Sequence, residues 1–125
     1  MSNPRGLITP QEAKKLNDAY TERCDLISTA ITKRPDNRSS WYSLDDIETF
    51  LSSAKAQAQE LGHEMDGIRI YCGAYETEKG EVGYTTNFMV PTSHNQEDGK
   101  SHDIQGANGL NFGQGGDPPA ANYPQ

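Results

Sequence analysis

Apolar positions along this chain change their period part-way. Ala13, Leu16, Tyr20, Cys24, Ile27 and Ile31 recur at intervals of three and four residues, which places them on one stripe of a 3.6-residue helix. Thr9-Pro10-Gln11-Glu12 in front of them is a capping box, with proline at the first helical position where its missing N–H costs nothing. A helix is predicted over about 10–33, ending before Pro35. A second stripe, Leu44, Ile47, Leu51, Ala54, Ala58 and Leu61, follows the capping hydroxyl of Ser43 and carries Asp45 and Asp46 in its first turn. It predicts a helix over about 44–61, terminated by Gly62. The short connection between the two helices makes them an antiparallel pair.

The period then drops to two. Ile68, Ile70, Cys72 and Ala74 alternate with Arg69, Tyr71, Gly73 and Tyr75, and a second alternation runs from Val82 to Val90. Strands are predicted over about 67–76 and 81–90, joined by Glu78-Lys79-Gly80 as a three-residue loop with glycine in the left-handed position. That loop pairs Ile68 with Val90, Ile70 with Phe88, Cys72 with Thr86 and Ala74 with Tyr84, gathering apolar side chains on one face. The opposite face then sets Arg69 against Met89, Tyr71 against Asn87 and Tyr75 against Gly83. Arg69, Tyr71, Tyr75 and Met89 form a mixed face suited to contact with another molecule.

Beyond Pro91 the chain turns polar and then rich in Gly, Asn and Pro. Residues 1–91 therefore read as an α+β domain in which an antiparallel helix pair packs on a β-hairpin. Residues 92–125 read as an irregular tail laid on that domain or on a neighbour, with Ile104, Leu110 and Phe112 as anchors. Two strands alone are marginal and leave both edges open, so further strands, the tail or another subunit must complete the sheet.

Composition narrows the function. The 125 residues suffice for one domain, and 18 acidic against 11 basic side chains, net charge -7, oppose non-specific binding to nucleic acid or an anionic membrane. No segment has the roughly 18 consecutive apolar residues of a membrane span, and no signal-type run opens the chain, so the expected location is cytoplasmic. Cys24 and Cys72 lie far apart without C-x-x-C spacing and are expected to be buried thiols, Cys72 within the core.

Catalytic and phosphate-binding motifs are lacking, and the string G-A-N-G-L-N-F-G-Q-G-G has no Lys-Ser/Thr. Glu76, Glu78 and Glu81 around the turn read as solvated gatekeepers. His94, Glu97, Asp98, His102 and Asp103 match no metal-ligand spacing and read as a polar loop, with ion binding by His94, Asp98, His102 and Asp103 left open. No enzyme activity, cofactor or metal is expected.

The stretch K-R-P-D-N-R-S-S-W-Y-S-L-D-D carries the remaining candidate chemistry. Arg34 and Arg38 bring positive charge beside the helix N-terminus at Ser43, and Trp41 and Tyr42 could stack on a ligand or anchor a protein contact. The competing account is structural: one aromatic serves as a hydrophobic staple, the arginines neutralise a helix C-terminus, and Asp36, Asp45 and Asp46 cancel the patch.

Taken together, D-G-I-R-I-Y-C-G-A-Y, G-Y-T-T-N-F-M-V-P-T and G-L-N-F-G-Q resemble a family of small, functionally uncharacterised bacterial proteins. The resemblance implies a bacterial origin and brings no activity, cofactor or catalytic residue. The expectation is a non-enzymatic interaction or self-assembly protein whose partner is itself or another protein, associating through sheet edge, aromatic face and tail. The alternative is a small-molecule or anion-binding module using the 33–43 loop.

Overall fold

Thr9 closes its capping box: its hydroxyl accepts from the Glu12 N–H at 3.1 Å, and the Glu12 carboxylate accepts from the Thr9 N–H at 3.2 Å. Helix α1 (Pro10–Leu26) starts there. It then widens into a π-helical turn, Ile27–Ile31, in which the Thr32 N–H donates to the Ile27 carbonyl at 2.8 Å. One extra residue in a turn rotates everything after it by about 100°. Thr32 is consequently buried, and Ile31, predicted to face the core, is 55% exposed.

The computed structural model describes residues 3–111, 114–115 and 122–125. Its elements after α1 are β1 (Ser40–Trp41), α2 (Leu44–Glu60), β2 (Met65–Ala74), β3 (Thr85–Asn95), β4 (Lys100–Asp103) and β5 (Gln114–Gly115). β2, β3 and β4 form an antiparallel sheet in that order, and β1 pairs with β5 separately. The class is α+β, as predicted.

The hairpin register differs from the expected one by a single residue. Ile68 pairs with Pro91, Ile70 with Met89, Cys72 with Asn87 and Ala74 with Thr85. The cause lies in the turn, because Lys79 at φ 51 and Gly80 at φ 80 both take the left-handed conformation. This is the two-residue type I′ geometry, and Glu78 and Glu81 exchange both backbone bonds around it, at 3.0 and 2.8 Å. A lysine with positive φ is uncommon, so the sequence pointed to the longer loop.

β3 also continues through Pro91 to Asn95, where a polar tail was expected, and β4 adds a third strand. Pro91 is tolerated because its backbone faces the β4 side one residue before that ladder begins at Thr92 and Asp103. Gly99 at φ 71 closes the connecting turn, its N–H donating to the Asn95 carbonyl at 2.9 Å.

The expected helix pair is not the packing unit. α2 lies on β2 and β3, and it buries Ala54 and Ala58 of the predicted stripe together with Phe50, which stands where Leu51 was expected. Phe50, Ala54 and Met89 form the core, with Tyr42, Met65 and Leu110 packed against it. Leu51 is 39% exposed, and on α1 Leu16 is 66% and Leu26 65% exposed. α1 buries only Cys24.

Candidate functional site

The stretch after α1 begins with Lys33 at φ 60, which turns the chain back across the sheet. Asp36 then inserts completely: its carboxylate accepts the Thr85 N–H at 2.8 Å and the Thr85 hydroxyl, while its own N–H donates to the Ser28 hydroxyl at 2.9 Å. A buried carboxylate needs such partners, and here both come from Thr85, the first residue of β3, while the backbone of Asp36 is held by the π-helical turn.

Both arginines of the candidate site are spent on the same docking. Arg34 donates to the Thr32 carbonyl at 3.1 Å and to the Val82 carbonyl at 2.7 Å, and its guanidinium lies 4.1 Å from the Tyr84 ring centre. Arg38 donates to the Thr21 hydroxyl at 3.2 Å and to the Asn17 carbonyl at 2.6 Å, 5.4 Å from the Tyr20 ring. They tie the loop to the segment just before β3 and to α1, and so replace the missing helix–helix packing.

The two aromatics part company. Tyr42 packs on the core, its hydroxyl within 2.8 Å of the Asn87 side-chain oxygen and 3.0 Å of the Asn87 carbonyl, and burial pushes its phenol up. Trp41 stays 60% exposed on β1, beside Gln114 of β5. A cavity of about 230 Å³ beneath this loop is lined by Tyr20, Asn37, Arg38, Ser39 and Cys72 among others. Cys72 is exposed, contrary to the core position expected of it, because it lies on edge strand β2 beyond the cover of α2.

On the sheet face opposite α2, Arg69 donates to the Asp103 carboxylate at 2.8 Å and to the Ser101 carbonyl at 2.9 Å. The Tyr71 hydroxyl donates to the same carboxylate, which pushes the phenol up, and its ring stacks on Phe88 with centres 5.3 Å apart. Tyr75 donates to the Asn111 side-chain oxygen at 3.0 Å. Met89 does not belong here. The one-residue register difference moves it to the α2 face, where it is 7% exposed, and Val90 takes its place opposite Arg69.

Of the tail anchors, Ile104 is buried at 5% exposure and donates its N–H to Pro91, and Leu110 exchanges backbone bonds with Met89 at 2.9 and 3.0 Å. Phe112 lies outside the described residues.

The histidine-rich segment is organised by carboxylates. His102 is 2.6 Å from Asp98, and the Thr92 hydroxyl donates to Asp66 at 2.6 Å. The hydroxyls of Ser101 and Thr92 hold the Asp66 carboxyl below its usual range, and the Lys100 N–H followed by His102 does the same for Asp98. Among the described residues no group of three or more His, Cys, Asp or Glu is placed to hold a metal ion.

The Asp66 shift makes a testable pH dependence. A carboxyl with a depressed folded value stabilises the fold fully above its unfolded value of about 3.9, and that contribution is lost as pH falls through the folded value. Thermal melting of the protein should therefore decline more steeply with acid than that of Asp66→Asn, so that the gap between them narrows. Parallel curves would refute the assignment.

No described helix is long and apolar enough to cross a membrane. Compared with protein-family models, curated proteins and solved structures, the chain matches none. The functional reading rests on the geometry alone.

Proposed function

We propose that the protein is a non-enzymatic, self-assembling structural protein whose partner is another copy of itself. The observation that carries this reading is apolar surface left without intramolecular cover: Leu16, Leu26, Ile31, Leu44 and Ile70 are each more than half exposed. Among the described residues the buried hydrophobic core, by contrast, consists of Cys24, Phe50, Ala54, Ala58, Met89 and Ile104.

The other functional reading, a small-molecule or anion site in the 33–43 loop, has less support. Arg34 and Arg38 already donate within the chain, Arg34 to the Val82 carbonyl and Arg38 to the Asn17 carbonyl.

Size-exclusion chromatography with light scattering over a wide concentration series tests the proposal. The expected result is a mass that is a multiple of the chain's own. A strict monomer at the highest concentration would overturn it.

A further inference from the structure

Resting on that self-assembly reading, we propose where two copies meet: the outer edge of β2 pairs antiparallel with the same edge of a second copy, about a two-fold axis at Ile70. Two three-stranded sheets become one of six strands.

The backbone of β3 identifies which groups are free. The Thr85 N–H donates to Asp36 at 2.8 Å, and the Asn87 carbonyl accepts from Asn111 at 2.6 Å. Met89 bonds Leu110 in both directions, and the Pro91 carbonyl accepts from Ile104 at 3.1 Å. These four residues turn their backbone away from β2. In an antiparallel ladder the residues directly opposite them do likewise in the other direction. Those residues are Ala74, Cys72, Ile70 and Ile68, so their N–H and C=O groups point outward along the β2 edge. No described residue pairs with that edge, whereas the far side of β3 is occupied along its length.

Soluble proteins normally protect such an edge by keeping it short or by placing proline or projecting charge on it. β2 runs for 10 residues without proline, and its bulge lies at one end, between Met65 and Gly67. Its one cation, Arg69, is held by Asp103 across the sheet rather than projecting. β4, the opposite edge, has only 4 residues.

The strand is self-complementary in one register. Matching the outward groups of two antiparallel copies allows a few pairings, and charge and length choose among them. Centring the axis at Arg69 sets two guanidinium groups opposite each other, which is repulsive. Centring it at Tyr71 shortens the overlap. At Ile70 the overlap runs over 66–74: Ile70 meets its own copy, Ile68 meets Cys72, and Arg69 lies beside Tyr71, a favourable cation–aromatic neighbour. This pairing also covers Ile70, 58% exposed, and Ile68, 38% exposed. Each chain carries a net charge of -7, and Met65–Ala74 holds one acid and one base, so the copies approach along a neutral segment.

Three proteins test the edge: the unmodified chain, Ile70→Lys, and Ile70→Cys combined with Cys72→Ser. The unmodified chain is expected to be dimeric by light scattering. Ile70→Lys should be monomeric with an unchanged circular dichroism spectrum, since residue 70 makes no ladder bond to β3. Air oxidation of the double variant should give a disulfide-linked dimer on a non-reducing gel. Directly opposed bonded residues sit about 5.5 Å apart at Cα, within disulfide reach, and Cys24 is 1% exposed and does not compete. An assembly that survives Ile70→Lys, or a double variant that does not cross-link, overturns this edge and leaves self-assembly standing. A strictly monomeric unmodified chain overturns both.

Discussion

Replacing Asp36 with alanine is expected to destabilise the fold by about 3 kcal/mol, read as a lowered urea midpoint. The carboxylate is 0% exposed and accepts both the N–H and the hydroxyl of Thr85. Without it those two donors stay in the interior unpaired, each costing about 1–3 kcal/mol, while the lost burial of a charge returns part of that. Asp36→Asn keeps an acceptor for the Thr85 N–H and should cost about 1 kcal/mol. The same clamp joins the π-helical turn, through Ser28, to β3, so Asp36→Ala should also raise amide exchange across 28–38. If Asp36→Ala melts like the unmodified protein, the docked loop does not contribute to stability.

Phe50→Ala should be at least as damaging, at about 3–4 kcal/mol. Phe50 is the largest side chain buried between α2 and the sheet, where it packs with Ala54 and Met89. Its removal leaves a cavity that neighbours anchored on β3 cannot collapse to fill. Leu51→Ala is the discriminating partner experiment. The sequence stripe would make Leu51 the core residue, but it is 39% exposed, so its truncation should cost about 1 kcal/mol. Equal losses from the two variants would mean that α2 presents the predicted face after all.

These pairs of neighbours mark how far the sequence could be read. Both helix starts were legible because Thr9 and Ser43 cap their own turns, a contact made within three residues. The strands were legible from alternation, and Ile104 and Leu110 as anchors from being apolar residues in a polar tail. What escaped were shifts by one position. A π-helical turn replaced Ile31 by Thr32, a left-handed Lys79 moved Met89 from the mixed face to the core, and rotation of α2 substituted Phe50 for Leu51. Periodicity reports which residues share a face, and such shifts leave it unchanged while altering which face is covered. The Asn95–Lys100 hairpin was also missed, although Asp98-Gly99 is a recognised turn signal, because the flanking strands are polar on both faces.

The candidate site divides in the same way. Local chemistry marked Arg34, Arg38, Trp41 and Tyr42 as the residues with most capacity for contact. Tertiary structure assigned them, turning both arginines inward to carbonyls and rings, Tyr42 onto Asn87 and the core, and Trp41 to the surface. By itself the sequence determined the α+β class, the capped helix starts and the existence of the hairpin, since each depends on interactions between near neighbours. Register, helix orientation, the burial of Asp36 and the open edge of β2 were decided only by long-range contacts. Partners such as Asp36 and Thr85, 49 residues apart, leave no mark in the local pattern that either one belongs to.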